Sequence, residues 1–187
     1  MAEREILIRE ATLDDLDEIF YLYTNYMFDS YLLKFGGPFV KKYLKIIINS
    51  KNCVTLVVRE NHIAGFIMAT FNSKKILSKL SFNIEMLCVW IKQVLVRPSL
   101  ALESLELIFY PLNTSMKNVN AELLFIAIEP THRKRNLSTK LIKEVLNLMR
   151  QKGIKKVKVS TLTENEAVNA LLKNMGFEVE KTFRLFK

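Results

Sequence analysis

Residues 121–149, AELLFIAIEPTHRKRNLSTKLIKEVLNLM, constrain the fold of this chain more than any other stretch. An unbroken apolar run over 123–128 has the length of a buried strand. Pro130 and a polar, basic cluster stop it, and a helical apolar period starts near Asn136. A strand, a tight loop and a helix N-terminus therefore follow one another directly. Unpaired backbone N–H groups and the positive end of the helix dipole meet at such a joint, which suits it to holding phosphate.

The flanking sequence predicts a mixed α/β (α+β) chain. Residues 5–9 alternate apolar and charged side chains as a half-buried strand does, and Thr12 with the acids behind it opens a helix over 13–27. Gly36, Gly37 and Pro38 supply a loop and the first turn of a second helix, which ends at 49–52. Residues 53–59 and 62–71 read as an antiparallel hairpin. A long apolar region over 74–112, cut by Pro98 and closed by Pro111, reads as about two helices. After the strand at 121–128 come a helix over 137–151 ended by Gly153, a fifth strand at 155–162, a helix at 166–174 and a sixth strand at 177–186. A helix between the fourth and fifth strands makes a right-handed crossover and a parallel pair.

Two spacings together carry a resemblance. The loop Pro130-Thr-His-Arg133-Lys-Arg-Asn136-Leu-Ser138 resembles the acyl-CoA pyrophosphate loop of the GNAT superfamily of N-acetyltransferases, usually Arg/Gln-x-x-Gly-x-Gly/Ala. Downstream, Asn165-Glu-Ala-Val168-Asn-Ala-Leu171-Leu172-Lys-Asn-Met-Gly176-Phe177 is similar to that superfamily's Asn-x-x-Ala-x-x-Leu-Tyr-x-x-x-Gly-Phe. The resemblance implies acetyl-CoA as cosubstrate, no metal, and an amine-bearing acceptor. It also implies a mostly antiparallel sheet whose central fourth and fifth strands splay apart for acyl-CoA, with a helical insert between the third and fourth.

In this reading the backbone of Ile126, Ala127 and Ile128 receives pantetheine as an added strand would. Arg133, Lys134 and Arg135 supply cations, and the backbone through Asn136, Leu137, Ser138 and Thr139 converges on the phosphates. Asn136 stands where the family usually has glycine, and asparagine tolerates the left-handed backbone such a turn needs. Asn165, Asn169 and Leu172 complete the implied cofactor side; Asn165 is equally suited to capping the helix at 166–174. Gly176 and Phe177 read as structural.

Glu122 is the first candidate for the general base, against the plainer reading of a solvated strand-end charge. Tyr31 is a weaker candidate, together with Tyr26, Asp29 and His62. Leu172 falls where many family members carry a tyrosine that protonates the departing thiolate, and leucine cannot do so. The insert at 74–112 can lid the acceptor cleft, form a homodimer interface, lie on a membrane surface, or add core. A seventh strand, usual in the family, is not expected before Lys187, which leaves a sheet edge open.

Composition bounds the alternatives. At 187 residues and 50% hydrophobic, the chain fits one domain over 1–187 with an adequate core. Cys53, Cys88, His62 and His132 lack the spacing of a zinc site or a disulfide framework. The N-terminus has no apolar leader, and Lys79, Glu85 and Lys92 interrupt the longest apolar region, so a cytoplasmic location is expected. A net charge of +9 permits nucleic acid as a partner, but the bases form scattered pairs without a stripe interleaved with aromatics. The expectation is therefore an acetyl-CoA-dependent N-acetyltransferase, with a non-catalytic acyl-CoA-binding module as the alternative that Leu172 motivates.

Overall fold

The runs CVTLVVR and IAGFIMAT carry almost no polar residue, and a strand without alternation must be covered on both faces. In the computed structural model of the chain, which describes residues 6–27, 30–81, 83–102, 104, 114–133 and 135–183, they form β2 (Cys53–Arg59) and β3 (Ile63–Thr70). Every residue of both is buried except Arg59. They lie inside a five-stranded sheet ordered β1 (Leu7–Glu10), β2, β3, β4 (Ala121–Ile128) and β5 (Val157–Val159). All neighbours are antiparallel except β4 and β5.

One face of the sheet carries α1 (Leu16–Tyr26), α2 (Gly37–Ile48), α3 (Ser73–Ser81) and α4 (Ile84–Val96). Ile19, Leu22, Leu44 and Ile47 from the first two helices meet Val57, Phe66 and Met68 from the sheet there. The opposite face carries α5 (Leu137–Gln151), whose Leu137, Leu141, Ile142, Val145 and Met149 form a continuous helical stripe against Val54, Val58, Ile67 and Leu123. Each of these five side chains contributes about 2 kcal/mol by burial, against roughly 0.5 kcal/mol for an exposed ion pair. The core, not the charges, therefore fixes where α5 begins. A last helix, α6 (Glu166–Asn174), reaches this core through Leu171.

Several expected elements are redrawn. The first helix opens with a 3-10 turn, Leu13–Asp15, and another, Tyr31–Phe35, occupies the expected loop before α2. The insert breaks before Pro98 as well as at it, because Asn83 accepts a hydrogen bond from the Met86 N–H at 2.9 Å and starts α4 afresh. Residues 105–113, with the expected closure at Pro111, lie outside the described residues. The fifth strand is only three residues long. The sixth is absent over 177–183: the Phe177 N–H turns back to the Leu172 carbonyl at 3.0 Å, and Val179 is 89% exposed with no strand beside it. Residues 184–187 lie outside the described residues. With no sixth strand formed at 177–183, the parallel pair stands at the end of the five-strand order, not at its centre.

At the other end, Asp15 ties the N-terminal strand to the first helix. Its carboxylate takes two 2.7 Å hydrogen bonds from Arg9, a third at 2.8 Å from the Thr12 N–H, and stands 3.5 Å from Arg59. Glu18, one turn on, accepts from the Ile63 N–H at 2.7 Å and from Arg59, fastening α1 to the hairpin. The Arg9 hydrogen bonds outweigh the cost of burial and hold the Asp15 carboxyl down to about 2 from its ordinary 3.8. A lowered folded value means that the contribution is present above about pH 4 and is lost as pH falls toward 2. Asp15→Asn is expected to cost about 2 kcal/mol in urea unfolding at pH 7, less in high salt. The variant's stability should also fall less than wild type between pH 4 and pH 2; equal losses would contradict the assignment.

Candidate functional site

Strand β4 is shared unequally between its neighbours. Along β3 it pairs from Glu122 to Ile128, with a bulge at Leu124, which has no counterpart between Met68 and Ala69. Along β5 it pairs only at Ala121, Glu122 and Leu123, facing Val157, Lys158 and Val159. Residues 124–128 thus present an edge with no ladder on that side among the described residues. The bulge tightens the local twist, and β5 diverges where it occurs. Ile126, Ala127 and Ile128 all lie on this open edge.

Gly65 makes the other side of that edge possible. A Cβ there would stand 2.4 Å from Ile128 Cδ1 and 2.9 Å from the Ala127 carbonyl oxygen. Only glycine lets β3 close against β4 at this point.

Beyond Ile128 the chain makes a 3-10 turn, Pro130–His132, and enters α5. Asn136, at the helix N-cap, has φ 57 and ψ 21, the left-handed conformation expected of it. Its carbonyl accepts the Lys140 N–H at 3.0 Å. Leu137 is buried and anchors the turn, whereas Ser138 and Thr139 are half-buried. Arg133, Asn136, Ser138 and Thr139 border a cavity of about 170 Å³ with Ile128 and Leu171. Leu171 lines it; Leu172 is buried away from it and gives its carbonyl to Met175 and Phe177. Lys134 lies outside the described residues.

Two basic side chains of the loop, Arg135 and His132, are met by carboxylates. Arg135 donates to Glu60, on the β2–β3 turn, at 2.6 Å, and His132 Nε2 stands 3.4 Å from the same group. Glu129 lies 2.9 Å from His62 Nε2 and 3.0 Å from His132 Nδ1. For Glu60, burial would raise the carboxyl, but Arg135 and His132 together hold it below its usual range; for Glu129, the His62 hydrogen bond does so. Arg133, exposed, is directed back to the Ile128 carbonyl at 3.4 Å. His62 is thereby a partner of the loop. Glu122 stands about 20 Å away at the other end of β4, given the rise of a strand.

Glu122 is not a solvated strand-end charge. It is 5% exposed and lies 3.3 Å from the Lys158 ammonium, which also donates to the Thr114 carbonyl at 2.9 Å. Burial pushes the Glu122 carboxyl above its usual range, and Lys158 pulls the other way. Nothing in the composition marked Lys158. Its signal was positional, since the parallel register sets it opposite Glu122. Tyr31 sits on the 3-10 turn before α2, edge-on to Phe35 at 5.7 Å with the Lys34 ammonium 4.5 Å from its ring centre. Tyr26 ends α1 with a half-buried side chain, and Asp29 lies outside the described residues. Asn165 caps α6, accepting from the Val168 N–H at 3.3 Å. Asn169 donates to the Leu162 and Thr163 carbonyls at 3.0 and 3.2 Å, tying the chain beyond β5 to α6. Among the described residues no group of three His, Cys, Asp or Glu could hold a metal ion.

Residues 107–177 match the family model for the acetyltransferase (GNAT) family. No curated protein sequence matches the chain. Among solved structures, the aminoglycoside acetyltransferase AAC(6')-Iy in complex with a bisubstrate analog of CoA superposes with a TM-score of 0.64 at 14% identity, over 98% of this chain and 97% of that one. The aminoglycoside 6'-N-acetyltransferase AAC(6')-Ih from Acinetobacter baumannii gives the same score, identity and coverage. The ribosomal-protein-S18-alanine N-acetyltransferase from Escherichia coli superposes at 0.57 with 11% identity, over 93% and 78%. The chain is a GNAT-fold protein whose residues 107–177 carry the GNAT acetyltransferase family pattern.

Proposed function

We propose that this protein transfers an acetyl group from acetyl-CoA to a primary amine by direct attack in a ternary complex. The observation that carries the proposal is the open edge of β4 over 124–128, running straight into a loop and helix start suited to pyrophosphate. Pantetheine amides can complete the ladder that β5 leaves unfinished. Arg133, Arg135 and the backbone from Asn136 to Thr139 then face the phosphates, Arg135 exchanging the Glu60 carboxylate for a phosphate oxygen. The CoA-bound neighbour shares this fold and supports the reading.

In the proposed reaction the amine nitrogen attacks the thioester carbonyl carbon, the C–S bond of the tetrahedral adduct breaks, and CoA leaves as its thiol, with no covalent enzyme intermediate. Backbone N–H groups of β4 near the bulge polarise the carbonyl, and most of the rate comes from holding amine and thioester together. Glu122 is the proposed base, taking the ammonium proton directly or through water; a carboxyl raised by burial is better matched to that task than an ordinary one. The residue at position 172 cannot return a proton to the thiolate, which leaves that step to water or another group. Burial of Leu172 is also what favours the second reading, an acyl-CoA-binding module without turnover.

Thiol release separates the two. Protein and acetyl-CoA are mixed with an aminoglycoside, a peptide with a free alanine N-terminus and a simple alkylamine. Release with one of them supports the enzyme; acetyl-CoA binding with no release for any favours the module. Asn136→Pro, which cannot adopt φ 57, and Ser138→Trp, which fills the approach to the helix start, should each weaken acetyl-CoA binding by at least about tenfold in calorimetry while thermal unfolding changes little. Unchanged binding would overturn the loop's role. Glu122→Gln is expected to lower kcat about 100-fold or more with acetyl-CoA affinity retained. Because the carboxyl must be ionised to act, wild-type kcat/KM should rise with pH through a midpoint above the usual carboxylate range, and the variant should lack that limb. A variant with the wild-type profile would make Glu122 purely structural.

A further inference from the structure

We propose that the outward face of α4 docks on the surface of an anionic lipid bilayer. The inward face of this helix is fully used: Met86 is buried, Val89 and Val94 pack on the core beneath α1 and α2, and the Trp90 indole N–H donates to Ser104 at 2.8 Å. Among the described residues the outward face has no such partner, yet it is apolar. Ile84, Leu87, Ile91 and Leu95 recur at helical spacing and are 75, 51, 43 and 77% exposed. Val96 at 85% and Leu102 at 74% extend the patch past Pro98. A water-facing helix normally places polar residues there, and a stripe of this kind marks an interaction surface.

Charge chooses the occupant. The described part of the insert exposes Lys92 and Arg97 on and just after α4, and Lys74, Lys75 and Lys79 on α3, the helix before it; its one described acid, Glu85, is paired with Lys42 from α2. An apolar ridge with basic flanks is the pattern of a helix lying in the interface of a negatively charged membrane. A second copy of this chain fits poorly, because symmetric pairing of the face would press like charges of two +9 chains together. At 13 residues α4 is about 20 Å long, so it can lie on a bilayer but not cross one. Among the described residues no helix is long and apolar enough to span a membrane.

The test uses the full chain and co-sedimentation with vesicles, without acetyl-CoA, so its result does not depend on the acetyltransferase reading. Binding to phosphatidylcholine–phosphatidylglycerol vesicles is expected to be at least about tenfold tighter than to phosphatidylcholine alone, and to weaken as salt rises. Leu95→Glu, at a position already open to water, should reduce binding to the neutral-vesicle level with an unchanged thermal unfolding curve. Lys74→Glu combined with Lys75→Glu should weaken anionic binding while leaving the apolar stripe intact. Absence of binding to anionic vesicles, or variants that bind as wild type does, would overturn the proposal. So would sedimentation velocity showing a dimer that Leu95→Glu converts to monomer, with no vesicle binding.

Discussion

A parallel strand pair that stops after three rungs is the constraint on which the rest of this structure depends. β4 must belong to the sheet, because Leu123 and Ile128 are core residues, yet among the described residues the bulge at Leu124 and the short β5 leave its second edge unpaired beyond Leu123. In a soluble sheet such an edge exposes backbone donors and acceptors and is normally covered. On the far side Asn169 holds the carbonyls of Leu162 and Thr163, which ties the segment after β5 to α6. Gly65 then lets the opposite edge close tightly. The gap is built by the same residues that build the fold.

Electrostatics act on a smaller scale, at the two ends of β4. At the loop end Glu60 and Glu129 hold two histidines and Arg135 in place. The Arg135 side of its pair is 40% exposed, and pairs near the surface are individually weak, which suits the partner exchange proposed for this arginine. At the other end Glu122 and Lys158 are both buried, where an unpaired charge would be costly. That pair keeps a carboxylate inside the sheet, close to the bulge, with a proton affinity raised by its surroundings.

Much of this was legible in the sequence wherever local pattern and global fold agree. β4, α5 and α6 fall on the residues their periodicity marks, and the left-handed turn fell on Asn136 because few other residues tolerate it. The rest depended on register and tertiary context. Residues 177–183 have strand-like composition but find no partner strand, and 155–162 pair only until the splay begins. No local pattern marks Lys158 or Glu60; the parallel register and the hairpin turn bring them to Glu122 and Arg135. Asn83 broke the insert through a cap that the surrounding apolar run concealed. At position 172, where the family pattern implies a cofactor-side residue, the leucine is buried, and its neighbour Leu171 lines the cavity.

The most direct measurement is amide hydrogen exchange along β4 with and without acetyl-CoA. If the open edge receives the pantetheine arm, amides within 124–128 and at the start of α5 should gain protection of about tenfold or more on saturation, while those of 121–123, already paired on both sides, should not change. Protection confined to other elements, or none in β4 at saturating acetyl-CoA, would contradict the view that the unfinished ladder is the cofactor site.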